Sequence, residues 1–135
     1  KYIQRIVGYD KTVVEESEYQ DSLQSLILGV AKEDGAVIIG RAAHYFLRDM
    51  ENCYRFRLIA PMESRKKYAV EQLGVNSSQA QRGLERNDRN QAWVHRSVCG
   101  EHHDSPLLFH LTVNMGVVSF EKAVGIVLSV VNRGS

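Results

Sequence analysis

The sequence is short of proline and cysteine, with two of each, carries a single tryptophan, and has a formal net charge of only +1 over 135 residues. Two prolines and no low-complexity tract leave no interdomain linker, so one domain over residues 1–135 is expected, with 44% hydrophobic residues to build one core. Cys53 and Cys99 stand far apart with no Cys-x-x-Cys pair, which excludes a disulfide framework and predicts reduced thiols. No run of about 18 apolar residues occurs, and the first segment is acidic rather than basic and then apolar. Neither a membrane span nor a signal peptide is visible, and a cytoplasmic protein is expected. The G-x-x-x-x-G-K-[ST] loop that cradles phosphates is absent from all 135 residues. The small net charge argues against a general nucleic-acid binder.

Charge is nevertheless unevenly placed. Residues 1–35 hold seven acidic against four basic side chains, whereas nine of the eleven arginines fall between Arg41 and Arg96. That distribution suits a local anion site better than a broad basic surface.

Residues 1–14 read either as a short helix or as the remains of a longer connection. From Ser17 to Lys32, Tyr19, Leu23, Leu26, Ile27 and Val30 recur every three to four residues, predicting an amphipathic helix that Asp34-Gly35 ends. Ala36–Ile39 is a short apolar run that reads as a parallel strand buried on both faces, with Gly40-Arg41 at its carboxyl end. Tyr54–Ala60 reads as a second strand, followed by a helix opened by Pro61 and running through Leu73. Asn76, Ser77 or Ser78 can cap a long polar helix towards Val98, with a break conceivable around Asn87–Asn90. Phe109–Val113 gives a third strand, and Ser119 caps a final apolar helix. Alternating strands and helices predict a parallel sheet covered on both faces, with ligands beyond the strand ends, where Arg41, Met62–Arg65 and Asn114 would lie.

The long helix carries the strongest pattern. Arg82, Arg86, Arg89, Trp93 and Arg96 fall within a stripe about 80° wide, while Ala80, Leu84, Val94 and Val98 collect opposite. Guanidinium groups so arranged repel one another by a few tenths of a kcal/mol per pair, which an arriving anion would relieve. Arginine's planar fork suits phosphate oxygens. The competing reading is a solvated face, with Trp93 half-buried against the core. Arg41 and Arg65 are further candidate anion ligands, the alternative being a structural salt bridge for Arg41 and an exposed helix position for Arg65. Cys99, His102, His103 and His110 lack a partnering cluster, so no metal site is expected. His44 could act as an acid or base, though packing is the commoner use of such a histidine.

The segment GAVIIGRAAHYFLRDMENCYRFRLIAPMESR, with Gly40-Arg41, Leu47-Arg48-Asp49 and Ala60-Pro61-x-Glu63-x-Arg65, resembles the core of the cytidylate kinase-like family of P-loop nucleoside monophosphate kinases. The Asp88-centred helix and the strand ending at Asn114 complete the order, and the resemblance covers Leu23 to Val131. It implies a three-layer αβα sandwich in which Gly40 and Arg41 help hold a nucleoside monophosphate and Arg65 lies near the donor nucleotide. The segment 77–98 would be a lid bringing Arg86, Asp88, Arg89 and Arg96 onto the phosphates. The same resemblance implies ATP and Mg²⁺ as cofactors. The chain departs from it by lacking the first strand and the Walker A loop, by Gln91 where arginine is usual, by Ala42 where glycine is common, and by Met115 where a small hydroxyl residue is usual.

A chain that starts at Lys1 and ends in Arg133-Gly134-Ser135 reads as a fragment of an enzyme, with the loop upstream, or as a loop-less relative. The expected function is binding of a nucleotide or other phosphate-bearing anion without activity as this chain. The alternative is a silent regulatory or protein-interaction domain that binds no nucleotide. A sheet without its first strand would leave an open edge, which predicts a homodimer or cover from residues 1–14.

Overall fold

The computed structural model describes residues 16–33 and 35–132. The expectations for residues 1–14 and for Asp34 lie outside them. Helix α1 spans Glu16–Ala31, close to the span expected from periodicity, and buries Leu23 and Ile27, one turn apart. These two pack with Ala43 and Leu47, and Ile38 and Phe46 close over them. The short α2 (Ala43–Phe46) therefore sits directly on α1.

Strand β1 (Phe56–Ile59) leads into α3 (Met62–Leu73). Pro61 is the N-cap of α3, one position before the first turn, and left-handed Gly74 (φ 66°) ends the helix. Next comes α4 (Ser77–Cys99), unbroken over its 23 residues, so the helix does not hinge at Asn87–Asn90. Its start is fixed by a reciprocal capping box. The Asn76 side chain accepts from the Gln79 N–H at 2.9 Å, and the Gln79 side chain accepts from the Asn76 N–H at 3.0 Å. Two short 3₁₀ turns, at 100–102 and 106–108, precede β2 (Leu111–Asn114), which starts two residues later than expected. Helix α5 (Phe120–Asn132) closes the described chain, and the Ser119 hydroxyl accepts from the Lys122 N–H at 3.3 Å.

β1 and β2 form a two-stranded parallel sheet in the register Phe56 to Leu111 through Ile59 to Asn114, so their carboxyl ends are level. The Arg55 and Ile59 carbonyls accept from His110 and Met115 on the β2 side. By the alternation of a strand, the backbone groups of Phe56 and Leu58 point to the other edge. Ala36–Ile39 does not join this sheet, which corrects the first of the three expected strands. An extended apolar run becomes a strand only with a ladder partner, and none pairs with it among the described residues. Ile38 alone packs inward, while Val37 and Ile39 are 64% and 82% exposed.

Among the described residues the buried side chains form two small clusters, Leu23/Ile27/Ala43/Leu47 and Ala42/Val94/Cys99, with Val98 packed against both. A two-stranded sheet offers too little surface to cover the helices. Helix α5 buries Ala123 and half-buries Val127 and Val130, yet Phe120, Val124, Leu128 and Val131 remain exposed along another side. No described helix is long and apolar enough to cross a membrane.

Candidate anion-binding site

Arg82, Arg86, Arg89, Trp93 and Arg96 are all exposed on one face of α4, whereas Ala80, Val94 and Cys99 are buried on other sides of the helix. The periodicity of the sequence thus carries through to solvent exposure. Among the described residues none of these four arginines makes an ion pair. Trp93 is half-exposed, its ring 5.9 Å from that of Tyr19 on α1 and tilted to it. On the same stretch of α4, the Ser97 carbonyl accepts a hydrogen bond from the Gln20 side chain of α1.

Arg65 and Asp88 stand apart from this face. They form a two-pronged fork between α3 and α4, with Nη1 to Oδ1 at 2.7 Å and Nη2 to Oδ2 at 2.9 Å. The hydrogen bond from Arg65 lowers the Asp88 carboxyl below its ordinary value, and the hydrogen bond to Asp88 raises the guanidinium in turn. Arg65 Nε is buried without a hydrogen-bond partner among the described residues. In this structure Arg65 is a clasp between helices; the family resemblance implied a place near the donor nucleotide, and the local sequence pattern did not name Asp88 as its partner.

The turn before α2 holds an unexpected feature. Gly40, Arg41 and Ala42 all have left-handed backbones, with φ of 74°, 57° and 53°. Glycine adopts this region without strain, but a residue with a Cβ is held there at about 1 kcal/mol or more. Ala42 is fully buried against Val94 and Cys99 of α4, and the Ala43 N–H donates to the Gly40 carbonyl at 3.1 Å. The turn that exposes Arg41 is thus pinned to the arginine helix through the next residue. The sequence signalled the glycine but not the two residues after it.

Beside that pin, His44 stacks on Phe109 at 4.6 Å and meets His95 edge-on at 5.1 Å, its Nε2 4.0 Å from Cys99 Sγ. Burial, then the neighbouring charges of His95, Arg57 and Arg55, lower His44 to about 4. His95 is lowered too, chiefly by burial, and burial raises the Cys99 thiol. The sequence pattern singled out Cys99 only as a candidate metal ligand and did not single out His95, although their four-residue spacing on α4 puts both on one side of a helix.

At the carboxyl end of the sheet Asn114 is engaged structurally. Its side chain accepts from the Gly116 N–H at 2.9 Å, and Gly116 lies so close to Pro61 that a Cβ there would be 2.5 Å from Pro61 Cδ. A shallow cavity of about 290 Å³ lies elsewhere, lined by residues 48–55 and His110 and by none of the candidate anion ligands. No group of three His, Cys, Asp or Glu side chains among the described residues could hold a metal ion.

The family model of the cytidylate kinase-like family matches residues 2–117. The chain belongs to that family. No curated protein matches it. As a cytidylate kinase-like chain it is related to nucleotide kinases. Two of its departures from the family resemblance have a structural setting. Ala42 occupies a left-handed position that glycine fills without strain, and Gln91 is exposed on α4 three residues past the clasped Asp88.

Proposed function

We propose that this cytidylate kinase-like chain binds a nucleoside monophosphate, or another phosphate-bearing anion, through the arginine face of α4 and through Arg41 of the turn that packs on another side of the same helix, and does not itself transfer phosphate. The observation that carries this reading is the row of exposed arginines on α4 with no ion pair among the described residues. Guanidinium groups in such a row gain from a multiply charged ligand what they lose to mutual repulsion. Arg86, Arg89 and Arg96 are the ligands on the lid-like segment 77–98, and Arg41 is the ligand on the turn. Asp88 shapes the lid through Arg65.

Family membership also supports a three-layer αβα sandwich in which β1 and β2 are part of a larger sheet. The edge of β1 away from β2, unpaired among the described residues, agrees with it. The residues present do not fit ATP with Mg²⁺. The 135 residues contain no phosphate-cradling glycine loop with its lysine, and no described carboxylate cluster suits a cation. No phosphoryl-transfer step is therefore assigned to this chain.

Calorimetry with CMP and with sulfate tests the reading. Binding of both, weakened by Arg86→Ala with Arg89→Ala while the helix content stays unchanged, is the expected result. If neither ligand binds, the anion site is abandoned. Transfer of phosphate from ATP to CMP by this chain at an ordinary rate would overturn the non-catalytic part. The second reading, a protein-interaction domain without nucleotide binding, draws on the exposed apolar side of α5. It predicts self-association or partner capture with no ligand heat.

A further inference from the structure

Two elements of the proposed site meet at one seam. α2 follows directly on the Gly40–Arg41 turn, α4 carries the arginines, and between them lie Ala42, Val94, Cys99, His44 and His95. We infer that His44, with His95 and Cys99, is a proton-sensitive joint that positions the Arg41 turn against the arginine helix and stays closed only while both imidazoles are neutral.

The geometry leaves little room for a charged form. Phe109 covers one face of His44, and the His95 ring stands 5.1 Å away. A neutral His44 can accept the Cys99 thiol proton at Nε2, whereas an imidazolium cannot. The charged groups acting on the pair come from every side: Arg55 and Arg57 from β1 and the residue before it, and His103 and Asp104 from the turn after α4. Asp104 is the one anion among them, and it already accepts from Arg57 at 3.5 Å. Charging both rings would therefore place two cations face to edge beside two guanidinium groups. The lowered position of His44, about 4 against an ordinary 6.5, agrees with that cost. Closure is complete above 6.5 and is lost as the pH falls towards 4, because the open state takes up the proton first. His44 is a positioning residue here, since it acts through α2 and α4 and touches no ligand.

The inference rests on the anion-site reading only for its consequence in binding, so two readouts separate the failures. Trp93, the one tryptophan of the chain, lies on α4 against Tyr19 of α1 and reports movement of α4. Ring-proton NMR of the histidines, Trp93 emission and far-ultraviolet circular dichroism are followed from pH 8 to 4 on the whole chain. Calorimetry with sulfate, which keeps its double charge over that range, runs in parallel. The expected result is a His44 midpoint far below 6.5, with a Trp93 change on the same curve and helix content retained. Sulfate affinity should fall by about tenfold or more. His44→Phe, which keeps an aromatic ring on Phe109, should shrink both pH responses. Should that variant fail to fold, the wild-type curves decide. A His44 midpoint near 6.5, a Trp93 signal indifferent to it, or loss of helix in the same step would each overturn the joint. Absence of sulfate binding at every pH, with the Trp93 transition intact, would overturn the anion site and leave the joint standing.

Discussion

Arg65 and Asp88, 23 residues apart, grip one another through two parallel hydrogen bonds of 2.7 and 2.9 Å and so lock α3 to α4. Both side chains are about one-third exposed, at 32% and 40%, so the pair stabilises less than a fully buried one. A double-mutant cycle with Arg65→Ala and Asp88→Ala should give a coupling of about 1 kcal/mol by urea denaturation. Asp88→Asn should lose a similar amount. Because the Asp88 carboxyl is held below its ordinary 3.8, its contribution is present above that value and vanishes as the pH falls further. A coupling of zero at neutral pH would mean that the clasp is a passive surface contact.

Gly116→Ala should be costly although the residue is exposed. The new Cβ would meet Pro61 Cδ at 2.5 Å and the Asn114 Oδ1 at 3.0 Å, and a proline ring cannot swing away. Separation of the two loops should destabilise the protein by about 1–3 kcal/mol. Unchanged stability in thermal or urea unfolding would show that the loop relaxes freely.

Ala42→Val should be among the most damaging single changes. A β-branched residue at φ 53° adds steric strain, and there is no space for it, since Ala42 is 0% exposed between α2 and α4. A loss above about 3 kcal/mol is expected. Ala42→Gly trades relief of strain against a lost methyl group, each about 1 kcal/mol, and should lie near wild type.

Replacing Arg86 and Arg89 together by alanine should leave stability within about 0.5 kcal/mol, because both are exposed and alanine is the better helix former. Ligand affinity should fall in the same variant and lose part of its dependence on salt concentration. A large drop in melting temperature instead would mark the arginines as structural.

Much of this fold is written locally. The stripe of α4 follows from the 3.6-residue repeat, and the Asn76 and Ser119 caps follow from side chains that reach only three residues along the chain. What depends on distant partners was not legible. The Ala36–Ile39 run showed a tendency to be buried but could not show whether a neighbouring strand exists. Arg65 was read as a candidate anion ligand and Asp88 as a lid residue, and nothing in their local pattern tells that α3 crosses α4 at that point. The left-handed backbone at Arg41 and Ala42 was invisible because only glycine advertises such a conformation. Its cause is the packing of Ala42 on Val94 and Cys99, far along the chain.

The parallel pairing of β1 with β2 also sets an order in time. The whole of α3 and α4 lies between Ile59 and Leu111, so neither strand finds its partner until that long crossover has closed, an entropic cost that adjacent helices escape. The α3–α4 hairpin is expected to nucleate and the sheet to zip last. Pulsed hydrogen exchange during refolding should therefore protect amides of the arginine helix before those of Phe56–Ile59. The sheet would then be the late product of the helices that flank it, and a fault in α4 would be felt as a strand that never pairs.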